Sequence, residues 1–401
     1  MTKGRFVPNL VGQTIDAGRL AVTQLLGAGS NGVVFLAEDT ASPSTHTLYY
    51  AVKVMPKAFY GTRRFENQRQ EIQNHVAASS IPGVVKLHRV VEDYKYYYLV
   101  MDYYPGGDLF HFLMRGGVAR GDDAHIKRIM VQIIEAVQGC HRIGIFHRDI
   151  KPENILISSD GNRVYLTDFG LSTTQNLSTT FGCGSRYYMS PECLGKLGID
   201  PAYSTRANDV WALGIILTGM ITGHNPWHQA SHSDICYRAY VEEPMFLRNT
   251  LPISDEAYDV LQRIFRPSPN RVTLEFLRLY VLQMDKFYDP APPAPPPRRS
   301  FFRRRRHERR QPSPELPNYI EAAIMAVPRA PANDAGSASD ADSHGPRTPD
   351  RSDEILDLPS LSQLPDYVGG GRTDMLVAAE NGQARPSNRS FLKRIAGKLY
   401  M

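Results

Sequence analysis

The 401-residue chain is poor in the residues that staple small folds, with four cysteines and two tryptophans. Cys140, Cys183, Cys193 and Cys236 show no C-x-x-C spacing, which argues against a structural zinc site or a disulfide framework. A reducing compartment, cytoplasm or nucleus, is expected. The chain also lacks a long hydrophobic run. Its best candidate, Trp211-Ala-Leu-Gly-Ile-Ile-Leu-Thr-Gly-Met-Ile221, is about half the length that a membrane span needs. The opening Met1-Thr-Lys-Gly-Arg-Phe-Val-Pro8 has no apolar segment of the kind that directs secretion. Charge of one sign is lacking too. The formal net charge of +5 is small and dispersed, so no specific nucleic-acid partner is expected for the folded part.

What is present is unevenly spread. Residues 1–288 hold 13 prolines, whereas 289–401 hold 16, so a globular part is followed by a proline-rich tail. Pro290-Ala-Pro-Pro-Ala-Pro-Pro-Pro297 favours extended polyproline geometry. Residues 330–390 carry few large apolar side chains, too few to offset chain entropy, and disorder is expected there. Arg298–Arg310 contains eight arginines in thirteen positions. A nuclear-import receptor, an anionic membrane surface and simple solvation all fit such a run. On a helix, Ser390–Met401 would place Phe391, Ile395 and Leu399 on one face, which suits a partner groove, a membrane surface or a frayed terminus.

The first hundred residues read as strands: Leu20–Leu26, Val33–Ala37, Tyr49–Met55, Val84–Val91 and Tyr96–Met101, with a polar helix over Phe65–Ala78. After Pro105-Gly106-Gly107 the apolar period lengthens. Ile126, Ile129, Met130, Ile133, Ile134 and Val137 form one helical face, and helical segments recur near 208–222, 254–265 and 273–285. A small β-rich lobe joined by a short linker to a larger helical lobe suits a ligand held between them.

Several motifs lie where such a ligand would. Gly27-Ala28-Gly29-Ser30-Asn31-Gly32 fits G-x-G-x-x-G. Glycines there let backbone amides approach phosphate, although a plain hairpin turn fits as well. A dinucleotide fingerprint needs a helix next, and Val33–Ala37 reads as a strand. Lys53 interrupts an apolar strand, and a buried ammonium needs a partner. Glu71, eighteen residues on in the polar helix, is one β–α connection away. The decisive run is His147-Arg-Asp-Ile-Lys-Pro-Glu-Asn154, followed after a short hairpin by Thr167-Asp-Phe-Gly170. One carboxylate, Asp149, suits acceptance of a hydroxyl proton. A second, Asp168, with the amide oxygen of Asn154, suits Mg²⁺, a cation that prefers oxygen ligands.

In this order and spacing the motifs resemble the eukaryotic protein kinases over about residues 18–285. The resemblance implies an α+β bilobal fold, with an N-lobe over about 18–101 and a C-lobe over about 106–285, before the tail at 289–401. It implies that Gly27, Ala28, Gly29, Ser30, Asn31 and Gly32 cover ATP phosphates and that Lys53, paired with Glu71, grips two of them. It implies Asp149 as base, Lys151 against the transferred phosphoryl group, and Asn154 and Asp168 as Mg²⁺ ligands. Met101 would stand behind adenine, Asp102 and Tyr104 would bond it through backbone groups, and Val34, Ala51 and Leu156 would sandwich it. Asp108 would reach the ribose or a basic substrate residue. Ser190-Pro-Glu192 replaces the usual Ala-Pro-Glu, with Arg271 as the partner of Glu192, and Asp209 would hold the catalytic loop.

Lys151 and Ser185 follow the serine/threonine pattern. The run Gly182-Cys-Gly-Ser-Arg-Tyr-Tyr-Met-Ser-Pro-Glu192 is similar to a fungal branch that includes a negative regulator of meiosis and nutrient-signalling kinases. A monomer acting on protein substrates is expected. A pseudokinase scaffold would usually have lost one of Lys53, Glu71, Asp149, Asn154 or Asp168, and a small-molecule kinase would not need the long segment 171–192. Two positions depart from the family pattern. Asn31 stands at the loop tip where an aromatic is common, and Phe181 stands where many relatives carry a phosphothreonine.

Overall fold

Leu20–Ala28 (β2), Val33–Asp39 (β3) and Tyr49–Pro56 (β4) point successive side chains to opposite faces, and Ala51, Val52, Val54 and Met55 of β4 supply a core on both. In the computed structural model, which describes residues 8–290 except 30–31, 44–46, 119–120, 196–200 and 244, they join Thr14–Ile15 (β1), Leu87–Glu92 (β5) and Tyr96–Asp102 (β6). The six strands form one antiparallel sheet in the order β1-β2-β3-β4-β6-β5. One face closes over Leu20, Val22, Phe35, Val52, Val54 and Val100. The other carries Ala51, Met55, Leu99 and Met101. The polar helix predicted at Phe65–Ala78 is Arg63–Ala78 (α1), capped by Thr62 Oγ1 accepting from the amide of Phe65.

The larger lobe is helical. Leu109–Met114 (α2), Asp123–Arg142 (α3), Thr205–Thr222 (α4), Ile235–Glu242 (α5), Phe246–Thr250 (α6), Asp255–Ile264 (α7) and Leu274–Gln283 (α8) surround one apolar core. The apolar stretch around Trp211 lies in α4, which is buried nearly all round, and no described helix is long and apolar enough to cross a membrane. One short hairpin, Ile155–Ile157 (β7) with Val164–Leu166 (β8), and one two-residue antiparallel pair, Leu177–Ser178 (β9) with Tyr203–Ser204 (β10), complete this lobe.

The strand predicted over Val84–Val91 begins only at Leu87. Val84 and Val85 leave the sheet and bridge to Leu166 of β8 instead, Val85 donating its amide to the Leu166 carbonyl at 2.9 Å. Packing also extends past 18–285 at both ends. Leu10 and Ile15 are buried in the sheet core. Phe287 is fully buried, and Asp289 accepts from the guanidinium of buried Arg248 at 3.2 Å. The arginine run 298–310 and the amphipathic stretch 390–401 lie outside the described residues.

Candidate active site

The site forms where the inner face of the sheet meets the β7–β8 hairpin. β4 carries Lys53 and α1 carries Glu71; Lys53 Nζ donates to Glu71 Oε1 at 2.5 Å and to Asp168 Oδ1 at 2.8 Å. Burial by itself depresses the Lys53 ammonium, but the two carboxylates outweigh it and raise its pKa above the ordinary lysine value. Burial likewise pushes the Asp168 carboxyl up, and the ammonium of Lys53 more than offsets this, taking it down to about 2. Both groups are therefore charged at neutral pH.

Asp149 and Asn154 stand together on the loop before β7. Asn154 donates Nδ2 to the Asp149 carbonyl at 2.9 Å and to its Oδ2 at 3.1 Å. Lys151 Nζ donates to the same Oδ2 at 2.8 Å and to Ser185 Oγ at 2.8 Å. Asp149 Oδ1 is buried and accepts no hydrogen bond. A buried carboxylate oxygen without a donor is costly, and its place beside Lys151 and Asn154 leaves it open to a donor brought by a ligand.

The loop is held from below by a residue of the core. Asp209, fully buried in α4, accepts from the amides of His147 and Arg148 at 2.8 Å each and meets His141 Nε2 at 2.8 Å. Arg148 and Asp168 both adopt φ near +64°, sparsely populated conformations for residues with a Cβ. The strain at Arg148 is stabilised by the buried Asp209 carboxylate, and Asp168 is held by Lys53 and by the amide of Gly170 at 3.3 Å. Arg271 Nη2 donates to both carboxylate oxygens of Glu192, at 2.9 and 3.1 Å, beneath segment 171–192.

The apolar residues expected to sandwich a base converge as well. Val34, Ala51, Met101, Tyr104 and Leu156 belong to one cluster spanning both lobes. At the linker, Tyr104 stacks on Tyr165 with centroids 4.0 Å apart, and Asp102 Oδ1 lies 2.6 Å from His88 Nε2. Gly27 and Ala28 end β2, paired with Val34 and Val33 of β3, and Gly29 and Gly32 follow them, the Gly29 amide donating to the Gly32 carbonyl at 2.8 Å. A Cβ at Gly32 would lie 2.7 Å from the Val54 carbonyl, so only glycine fits against β4. Ser30 and Asn31, the tip of that loop, are outside the described residues. Asp108 caps α2 through the amide of His111 at 2.8 Å and also meets the ring of His111.

These elements answer to a known family. Residues 20–278 match the protein kinase domain. The chain is a member of the protein kinase family. It is 41% identical over 292 residues to a negative regulator of sexual conjugation and meiosis from Schizosaccharomyces pombe, covering 68% of this chain and 61% of that protein. The serine/threonine-protein kinase ksp1 of the same organism is 35% identical over 275 residues, covering 66% and 57%. The serine/threonine-protein kinase VHS1 of Saccharomyces cerevisiae is 34% identical over 247 residues, covering 56% and 51%. The matched part of the chain thus spans between half and two thirds of the length of these relatives.

Some contacts around the site gave no sequence signal. His75 stacks on Phe169 at 4.9 Å, and Asn74 reaches Ser172 across the lobes; a polar helix gives no sign of which of its residues turn inward. Phe181 packs on Tyr203 with centroids 5.8 Å apart, and its ring lies so close to Gly195 that a Cβ there would clash. Arg148, meanwhile, donates Nε to the Leu171 carbonyl at 2.6 Å and contacts Ser178 Oγ at 3.5 Å.

Proposed function

We propose that the chain is a serine/threonine protein kinase, transferring the γ-phosphate of MgATP to protein hydroxyls in fungal growth, nutrient or meiotic signalling. The observation that carries this reading is the buried, donor-free Oδ1 of Asp149, whose other oxygen is fixed by Lys151 and Asn154. A substrate hydroxyl would satisfy that oxygen by donating to it; its proton would pass there as its oxygen bonds to the γ-phosphorus and the bond from that phosphorus to the bridging oxygen breaks, releasing ADP. Lys151 stands next to the same point and offsets charge on the transferred group. Ser185, bonded to Lys151, ties the substrate-presenting segment to the catalytic loop.

The donor set fits Mg²⁺. Asp168 is ionised, and the amide nitrogen of Asn154 is spent on Asp149, so its oxygen remains for a hard cation. When bound, the ion supplies positive charge against the phosphates. Lys53, charged and braced by Glu71, holds the α/β-phosphates; Val34, Ala51, Met101 and Leu156 enclose adenine, with Asp102 and Tyr104 bonding it through backbone groups. The catalytic unit is taken as residues 18–285, with 289–401 as an appended tail.

The proposed compartment is cytoplasm, nucleus or both, supported by four unpaired cysteines and by the arginines of 298–310 as an import or anionic-surface signal. The enzyme is taken to act as a monomer. Radiolabelled phosphate transfer to an arrayed serine/threonine/tyrosine peptide set, with Asp149→Asn and Asp168→Ala as controls, tests the activity. Each variant is expected to lose turnover by orders of magnitude while melting like the parent. Undiminished transfer by folded Asp168→Ala, or phosphotyrosine as the main product, would refute it.

A further inference from the structure

Two neighbouring turns of the small lobe expose aromatic rings to water. Phe59 is 87% exposed, Tyr60 89% and Tyr94 81%. The turns lie side by side, since the amide of Lys57 donates to the carbonyl of Lys95 at 2.8 Å. Neither turn is loosely held. Buried Gln68 clamps the first, accepting from the Ala58 amide at 2.9 Å and donating to the Pro56 carbonyl at 2.8 Å. Thr62 closes it by donating to the Phe59 carbonyl at 2.6 Å, and Gly61 supplies the positive φ of 76°. Asp93 fixes the second, accepting from the amides of Lys95 and Tyr96 at 2.7 Å and from Tyr98 Oη at 2.7 Å. A buried side chain thus maintains a turn whose aromatic residues lie outside the core, Tyr60 meeting the ring of Phe65 edge-on at 5.2 Å.

The charges around these rings leave a positive balance even with the carboxylate of Asp93, in the Tyr94 turn, counted. Glu92 is neutralised by Lys57 at 2.5 Å, and Glu66 faces Arg69 at 3.8 Å. Arg63 and Arg64 are exposed and form no ion pair among the described residues, and Lys95 lies over the Tyr94 ring at 4.8 Å. Rings on projecting turns with cations beside them match the lipid–water interface. Phe and Tyr enter the headgroup layer, and ammonium and guanidinium groups meet lipid phosphate. A proline-rich ligand also favours aromatic surfaces. The proline run of this chain leads directly into the arginines of 298–310, however, and would bring like charge to the patch.

We infer that Phe59, Tyr60 and Tyr94, with Arg64 and Lys95, form a contact surface for anionic lipid. The test uses the full-length chain with its eight arginines between Arg298 and Arg310 replaced by glutamine, so that the tail contributes no charge. It is sedimented with phosphatidylcholine vesicles and with equimolar phosphatidylcholine/phosphatidylserine vesicles. Binding only to the anionic vesicles is expected, weakening at high salt. Phe59→Ala/Tyr60→Ala/Tyr94→Ala and, separately, Arg64→Glu/Lys95→Glu should each reduce partitioning roughly tenfold. Peptide phosphorylation and melting temperature should remain those of the parent, which separates loss of the surface from loss of the fold. Equal binding to both vesicle types, or parental binding by either variant, overturns the inference. So does a patch that retains a protein partner, through the same residues, without retaining anionic vesicles.

Discussion

Asn74 of α1 donates Nδ2 to the buried Oγ of Ser172 at 2.8 Å, and Ser172 in turn donates to the carbonyl of Phe169 at 2.7 Å. One helical turn before Asn74, Glu71 holds Lys53. The helix that positions Lys53 is therefore fastened to the segment that positions Asp168 by a bond independent of the ion pair. Asn74→Ala is expected to lower kcat by about tenfold, equivalent to about 1.4 kcal/mol, with a melting shift of only a few degrees. Steady-state kinetics and calorimetry on the same preparation check this. A melting loss without a rate loss would show the bond to be structural only.

The buried pair beneath the segment predicts a larger effect on stability. Arg271→Ala leaves Glu192 with one bond, from the Ser268 amide at 2.8 Å, and no cation. A cost of about 3–5 kcal/mol is expected, a melting decrease on the order of 10 °C. Differential scanning calorimetry gives the value.

His75 predicts a pH dependence. Burial holds its imidazole down to about 4, and its Nε2 lies 2.9 Å from the Val85 carbonyl. The folded-state pKa is below the unfolded one, so the unfolded chain takes up a proton first as pH falls. Stability is full above about pH 6.5 and is lost progressively towards pH 4. At pH 4.5 the loss attributable to His75 is about 2–3 kcal/mol. Urea midpoints at pH 7 and 4.5, compared with those of His75→Leu, isolate this contribution from carboxyl groups titrating nearby. An unchanged difference between the two chains would refute it.

Phe181 predicts activity without phosphorylation of its neighbours. Its packing on Tyr203 and Gly195, the β9–β10 pair and the bonds from Arg148 to Leu171 and Ser178 hold the segment with no phosphate. Phosphatase treatment, or Thr179→Ala/Thr180→Ala, should change turnover less than tenfold. Phe181→Ala should lower it more than either, as measured by peptide phosphorylation.

The chain end predicts where truncation is tolerated. A chain ending at Pro290 keeps Phe287 and the Arg248–Asp289 contact and should melt cooperatively. One ending at residue 285 loses the fully buried Phe287, at a cost of about 3–5 kcal/mol. Melting curves of the two truncations decide it.

The strands and long helices were legible because each has a periodic apolar face: Ile126 to Val137 along α3, for example. Helices α2, α5 and α6 were not, being short, with one or two buried residues each. Lys53, Glu71, Asp149, Asn154 and Asp168 could be found by spacing, since charged residues there conflict with a bland reading of strand or loop. Asn74 and His75 could not. Their neighbours on α1 are equally polar, and only the approach of Ser172 and Phe169, nearly a hundred residues later, distinguishes them.

Asp209 has a consequence for how this sequence can change. Because it grips the amides of His147 and Arg148 from within a helix that is itself the centre of the larger lobe, the catalytic loop takes its shape from the packing around Trp211 and Ile215. Substitutions along α4 therefore cannot drift as ordinary core replacements do. One that rotates the helix slightly, at little loss of stability, still moves two backbone amides beside Asp149. Selection on rate then reaches deep into the hydrophobic interior. Tolerated substitutions in α4 should depend on compensating ones at His141 and the loop, a form of epistasis that an interior without a buried carboxylate would not impose.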